Sequence, residues 1–97
     1  MTSKGQIFLG FAWYRPDQWE DLKKFCEDRE ELEDTYELWK QGAEKAFRDI
    51  RASGQTPLKV DFDLVEFKMW CSALNKRPVG ASRSEFTATN LRESHER

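Results

Sequence analysis

DREELEDTYELWKQGAEKAFRDIRASG, residues 28–54, has the pattern of one long amphipathic helix. The rest of the chain is expected to supply the apolar surface on which this helix packs. Asp28 with Glu31 has the spacing of an N-terminal capping box, and Gly54 supplies the residue that commonly ends a helix. Apolar residues recur every three or four positions. They are Leu32, Tyr36, Trp39, Ala43, Ala46, Phe47 and Ile50. The pattern predicts a long central helix over 29–53, with Trp39 as a core residue.

One glycine interrupts this helical pattern. Gly42 lies in its interior, where glycine costs about 1 kcal/mol relative to alanine. Small residues allow another backbone to come close, and Ala43 and Ala46 are also small. We therefore interpret Gly42 as a position of close approach.

The remaining chain supplies two strands and three shorter helices. Residues 6–14, QIFLGFAWY, and residues 58–62, LKVDF, are rich in strand-forming residues. Helical patterns follow Pro16, Asp63 and Ser82. The order is β-α-α-β-α-α, and if each compact connection reverses the chain, the two strands run in opposite directions. The predicted fold class is therefore α+β, a two-stranded antiparallel sheet packed with about four helices.

Length and composition limit the class of protein. A chain of 97 residues is expected to form a single domain over 1–97, with residues 1–5 and 92–97 frayed at its ends. The net charge of −2 argues against a dedicated nucleic-acid binder, and no apolar run is long enough to span a membrane. Two cysteines, Cys26 and Cys71, are too few for a disulfide framework, so we expect buried free thiols in a cytoplasmic protein.

Residues that carry chemistry are sparse. The one histidine, His95, lies in a polar tail without a partner at metal-ligand spacing. Asp61 and Asp63 have a spacing seen in some magnesium sites, but a solvent-facing carboxylate followed by a helix N-cap is the simpler interpretation. We therefore predict no metal, no cofactor and no catalytic residue. A small enzyme that uses carboxylate or tyrosine chemistry stays open, because such chemistry leaves no local sequence signature.

Charge is distributed unevenly along the chain. Residues 17–39 are strongly acidic, whereas residues 40–60 are basic. Complementation of the helix dipole and solubility explain this pattern most simply. An alternative is a nucleic-acid-associated accessory protein that uses Lys40, Arg48 and Arg51 at the basic end of the long helix, together with the C-terminal helix.

Aromatic residues at the start of the chain give the leading hypothesis about function. The first predicted strand is apolar on both faces and carries no proline or charge between Gln6 and Tyr14, so its edge lacks the usual protection against pairing. We therefore expect a non-catalytic protein-interaction module that forms a homodimer or binds a protein partner. Phe8, Leu9 and Tyr14 are the candidate contact residues.

Overall fold

The computed structural model describes residues 8–95, with side chains up to Glu93. Within this range the regular elements are two strands, four helices and two single 3-10 turns. They are β1 (Phe8–Tyr14), a 3-10 turn (Pro16–Gln18), α1 (Trp19–Phe25), a 3-10 turn (Arg29–Glu31), α2 (Tyr36–Ala52), β2 (Thr56–Phe62), α3 (Leu64–Leu74) and α4 (Gly80–His95). Residues 6–7 of the predicted first strand, and residues 1–5 and 96–97 of the predicted frayed ends, lie outside the described residues. Residues 92–95 belong to α4.

The two strands pair in parallel, from Phe8 opposite Thr56 to Tyr14 opposite Phe62, so the predicted antiparallel sheet is wrong. The prediction counted two full helical traverses between the strands. However, α1 has seven residues and is only about 10 Å long, so it does not carry the chain back along the sheet. Helix α2 has 17 residues and makes that return alone. A single helical return brings the second strand in at the same end as the first, which is the crossover of a parallel pair.

The long helix begins later than the sequence suggested. Its N-cap is Thr35, whose hydroxyl accepts a hydrogen bond from the Leu38 amide at 3.2 Å. The Asp28 carboxylate is engaged elsewhere, because it accepts a hydrogen bond from the Gly80 amide at 2.8 Å and binds Arg83. The segment before Thr35 therefore forms a short turn and an extended link instead of the first turns of a helix over 29–53.

Helices cover both faces of the small sheet. Because strand side chains alternate, Phe11 and Trp13 share one face, where their rings meet Phe47 of α2 at 5.8 and 6.2 Å between centroids. On the other face, Gly10 lies against Leu91 of α4. The main core forms where α1, α3, α4 and the end of β2 meet, and its buried apolar members are Trp19, Leu22, Cys26, Phe62, Leu64, Phe67, Cys71 and Phe86.

Trp39 lies at the margin of this core and is half-buried, although the sequence placed it at the centre. Its ring still contacts four aromatic neighbours, at centroid distances of 5.0 to 5.9 Å. The neighbours are Trp13, Tyr14, Trp19 and Tyr36. Trp39 therefore links the α2 face of the sheet to the main core.

Candidate interaction surfaces

Helix α3 carries apolar residues on its inner and its outer side. Asp63 caps it by accepting a hydrogen bond from the Val65 amide at 3.0 Å, as the sequence predicted. Leu64, Phe67 and Cys71 are buried in the core. Three further apolar side chains remain in contact with solvent, Val65 at 60%, Met69 at 66% and Leu74 at 53% exposure. On a helix of 3.6 residues per turn, Val65 and Met69 lie opposite the buried side, and we call this pair the outer face of α3. Leu74 lies on the side of Phe67, at the C-terminal end of the helix.

A surface helix normally has an apolar stripe on one side and a polar face on the other. A helix that is apolar on all sides is usually buried. Helix α3, LVEFKMWCSAL, has only three polar residues, Glu66, Lys68 and Ser72. The sequence predicted a helix after Asp63 but did not single out its outer face. The available signal was the composition, since eight apolar residues in an eleven-residue helix exceed what one face can bury.

The predicted contact residues Phe8, Leu9 and Tyr14 have different environments. Phe8 and Leu9, at the start of β1, are 42% and 38% exposed. Tyr14, at the end of β1, contacts the rings of Trp19, Trp39 and Phe62 at 4.9 to 5.7 Å and packs against the core. The structure therefore places an exposed apolar pair at one end of β1 and a packed tyrosine at the other.

A shallow groove lies between α2 and β2, with a volume of about 250 Å³. We call it the α2–β2 groove, and it is lined by Trp13, Glu44, Phe47, Arg48 and Lys59. The Lys59 ammonium lies 4.4 Å from the centre of the Trp13 ring and 5.4 Å from that of Phe47. The Arg51 guanidinium lies 5.2 Å from the Phe47 ring centre.

The cations of this groove have no acidic partner among the described residues. None of Arg48, Arg51 and Lys59 forms an ion pair there. Glu44 and Arg48 are four residues apart on α2 but do not pair. Lys45 and Asp49 have the same spacing and are joined at 2.9 Å. Of the residues in the nucleic-acid alternative, Arg48 lines the groove and Arg51 lies over a ring that lines it. Lys40 is not one of the lining residues.

A cluster of three polar side chains is buried between α1, α4 and the connection that follows α1. Arg83 of α4 donates to the Asp28 carboxylate at 2.9 and 3.2 Å and to the Cys26 sulfur at 3.2 Å. We call these three residues the Arg83 cluster. The hydrogen bond from Arg83 lowers the pKa of Asp28, whereas burial raises the pKa of the Cys26 thiol despite the neighbouring cation.

Burial also decides the chemistry of the thiols and of Tyr14. Cys26 and Cys71 are free and buried, as predicted from the sequence, and burial raises the pKa of the Cys71 thiol as well. Burial likewise raises the pKa of Tyr14, with Arg83 opposing the shift. A nucleophilic thiol is a thiolate that a reagent can reach, and Cys26 has no exposed surface. The Arg83 cluster therefore has the character of a structural ion pair.

Acidic residues elsewhere serve local roles. The exposed Asp61 carboxylate binds the Arg15 guanidinium, with contacts of 2.6 and 3.0 Å, and this hydrogen bonding lowers the pKa of Asp61. In the part of the chain that the structure describes, no group of three or more His, Cys, Asp or Glu side chains is arranged to hold a metal ion. Over the same residues, no helix has both the length and the apolar character needed to cross a bilayer.

Comparison with known proteins gives no family for this chain. No family model, no curated protein and no solved structure matches it. The surfaces of the protein are therefore the guide to its function.

Proposed function

We propose that this protein is a non-catalytic protein-interaction module that self-associates through the outer face of α3. The supporting observation is the exposure of Val65 and Met69, one turn apart on a helix whose other side is already in the core. Burial of apolar surface is the main favourable term in protein association. Contiguous exposed apolar surface is accordingly a mark of interaction sites.

A second copy of the chain is the partner we favour. An apolar surface is complementary to itself, so the outer faces of two α3 helices bury each other, as in an isologous twofold contact. The net charge of −2 gives little repulsion between copies. Two side chains are few beside the ~800 Å² that each partner contributes to a standard interface. We therefore expect weak association unless a second surface takes part.

The start of β1 is the candidate for that second surface. Phe8 and Leu9 are exposed, and β1 has a strand partner on one side only within the described residues. Pairing of this edge with another chain was the mode expected from the sequence, and it remains a proposal. The two modes differ in the residues that they require, so substitutions separate them.

Sedimentation velocity from low micromolar to near-millimolar concentration tests self-association. We expect the weight-average mass of the wild type to rise with concentration and Met69→Lys to suppress the rise, because a buried lysine at the contact must be desolvated. Leu38→Lys is the matched control, since Leu38 is 50% exposed on a different helix. A strictly monomeric wild type, or equal effects of the two variants, would exclude the α3 contact. Suppression by Leu9→Lys alone would assign the contact to β1.

The compartment remains a proposal as well. Two free cysteines in the core fit a reducing environment, because disulfides form and persist in oxidising compartments. We therefore propose a cytoplasmic location. Fractionation of the source cells with an antibody against the native protein tests it, and recovery with secreted proteins would exclude it.

A further inference from the structure

We propose that the α2–β2 groove binds a small phosphate-bearing ligand with a flat ring, of the mononucleotide class. This inference goes beyond self-association and uses a different surface, since none of the residues that line the groove belongs to α3. It rests on three features of the groove. They are cations that have no acidic partner among the described residues, an aromatic floor and one carboxylate in the lining.

One of the two cations that line the groove, Lys59, is held in position by its contacts. Lys59 stands opposite Phe11 in the parallel pair, so its backbone position is set by the sheet, and its ammonium is held over the rings of Trp13 and Phe47. Arg48 projects from the helix that forms the other wall. A phosphate that reaches both would form charge-assisted hydrogen bonds, which are roughly twice as strong as neutral ones. Less side-chain freedom is lost on binding when a cation is already held in position.

The aromatic floor argues for an organic phosphate rather than the inorganic ion. Trp13 and Phe47 are half-buried, and parts of both rings line the groove. Flat rings of nucleobases contact such side chains favourably, at the parts of the Trp13 and Phe47 rings that the Lys59 ammonium does not cover. Glu44 adds a hydrogen-bond acceptor, which suits a sugar hydroxyl or a base amino group and would repel a second phosphate.

The size of the groove limits the ligand further. Its volume of about 250 Å³ lies below the roughly 300–1,000 Å³ of pockets for drug-sized ligands. The groove therefore has room for at most one nucleotide unit. A longer single strand would need a basic track that continues beyond the groove, whereas the chain as a whole has a net charge of −2.

Titration of the full-length protein with AMP, followed by amide and indole NMR shifts, tests this proposal. We expect saturable shifts at Trp13, Phe47 and Lys59, with weaker binding of inorganic phosphate and of adenosine. Lys59→Gln and Arg48→Gln should each weaken AMP binding by about tenfold, the effect of losing about 1.4 kcal/mol. Lys45→Gln is the matched control, because Lys45 is an exposed lysine of α2 outside the groove.

Several outcomes would overturn the proposal. They are the absence of saturable shifts, equal affinity for phosphate and AMP, and equal loss in Lys59→Gln and Lys45→Gln. Binding of an oligonucleotide but not of AMP would replace the mononucleotide by a nucleic-acid strand. The groove variants leave α3 unchanged and Met69→Lys leaves the groove unchanged, so failure of one proposal is separable from failure of the other.

Discussion

The Arg83 guanidinium donates to the Asp28 carboxylate at 2.9 Å, and this ion pair joins α4 to the connection between α1 and α2. Both side chains are nearly buried, at 9% and 13% exposure. A second link is formed nearby, because the Glu27 amide donates to the Pro78 carbonyl at 3.0 Å. The chain therefore leaves α1 along a path fixed by α4, and α2 begins only after Thr35.

Removal of Arg83 should be among the most destabilising single changes in this protein. Arg83→Met leaves the Asp28 carboxylate without its cation in a largely buried position. Removal of one partner of a buried ion pair typically lowers the free energy of unfolding by about 3–5 kcal/mol. Chemical denaturation monitored by tryptophan fluorescence measures this loss. In the double variant Arg83→Met with Asp28→Leu, we expect a loss smaller than the sum of the two single losses, and strict additivity would contradict a direct ion pair.

The same pair predicts a dependence of stability on acid. The hydrogen bond from Arg83 holds the pKa of Asp28 below its unfolded-state value, which is about 3.9. The stabilisation is therefore complete at neutral pH and is lost as the pH falls through the folded-state pKa. We expect Asp28→Asn to be less stable at neutral pH and to lose less of its remaining stability on acidification. Glu33→Gln removes an exposed carboxylate that has no ion pair among the described residues, and this variant should keep the wild-type profile.

Local sequence signals predicted much of the secondary structure and less of its arrangement. The Asp63 cap and the alternation that buries Phe62 were visible, because each depends on neighbouring residues. The strand direction was not, because it depends on how far each helix carries the chain. The start of α2 was also missed, since Asp28 has an ordinary capping pattern and its partner Arg83 is 55 residues away.

The candidate surfaces show the same limit. Arg48 and Arg51 were selected for their charge, but Lys59 and Trp13, which complete the groove, lie on different strands. The parallel register sets Lys59 opposite Phe11 and so near Trp13, whereas the sequence predicted an antiparallel pair. The outer face of α3 is different, because its composition alone indicated a surplus of apolar residues. A comparison of the number of apolar residues in α3 with the number that one helix face can bury would have identified this surface.

Trp39 gives a test of how the α2 side of the sheet is stabilised. It is half-buried and contacts four aromatic rings, so Trp39→Ala should cost about 3 kcal/mol, the low end of the usual range for a buried Trp. Trp19→Ala removes a side chain that is 1% exposed and should cost more. Thermal unfolding of both variants gives the comparison. An effect of Trp39→Ala near zero would mean that α2 packs on the sheet without it.

The two thiols should react slowly in the native protein. Cys26 and Cys71 are 0% and 5% exposed, and burial raises the pKa of both thiols, which keeps them in the unreactive protonated form. We expect their modification by a disulfide reagent to follow local or global opening and to accelerate with added denaturant. Reaction in the native state at the rate of a free thiol would contradict the packing around α1 and α3.

Gly42 lies in the interior of α2, and no neighbouring atom of the described residues lies within 4 Å of the position that an added Cβ would occupy. The close approach inferred from the sequence is therefore wrong at this residue, because the helix faces open space there. Gly42→Ala should stabilise the protein by about 1 kcal/mol, the difference in helix propensity. Gly10→Ala is the contrasting substitution, since its Cβ would lie 3.0 Å from the Leu91 side chain. The denaturant midpoint should rise more in Gly42→Ala than in Gly10→Ala, and destabilisation by Gly42→Ala would mean that another surface covers this side of α2.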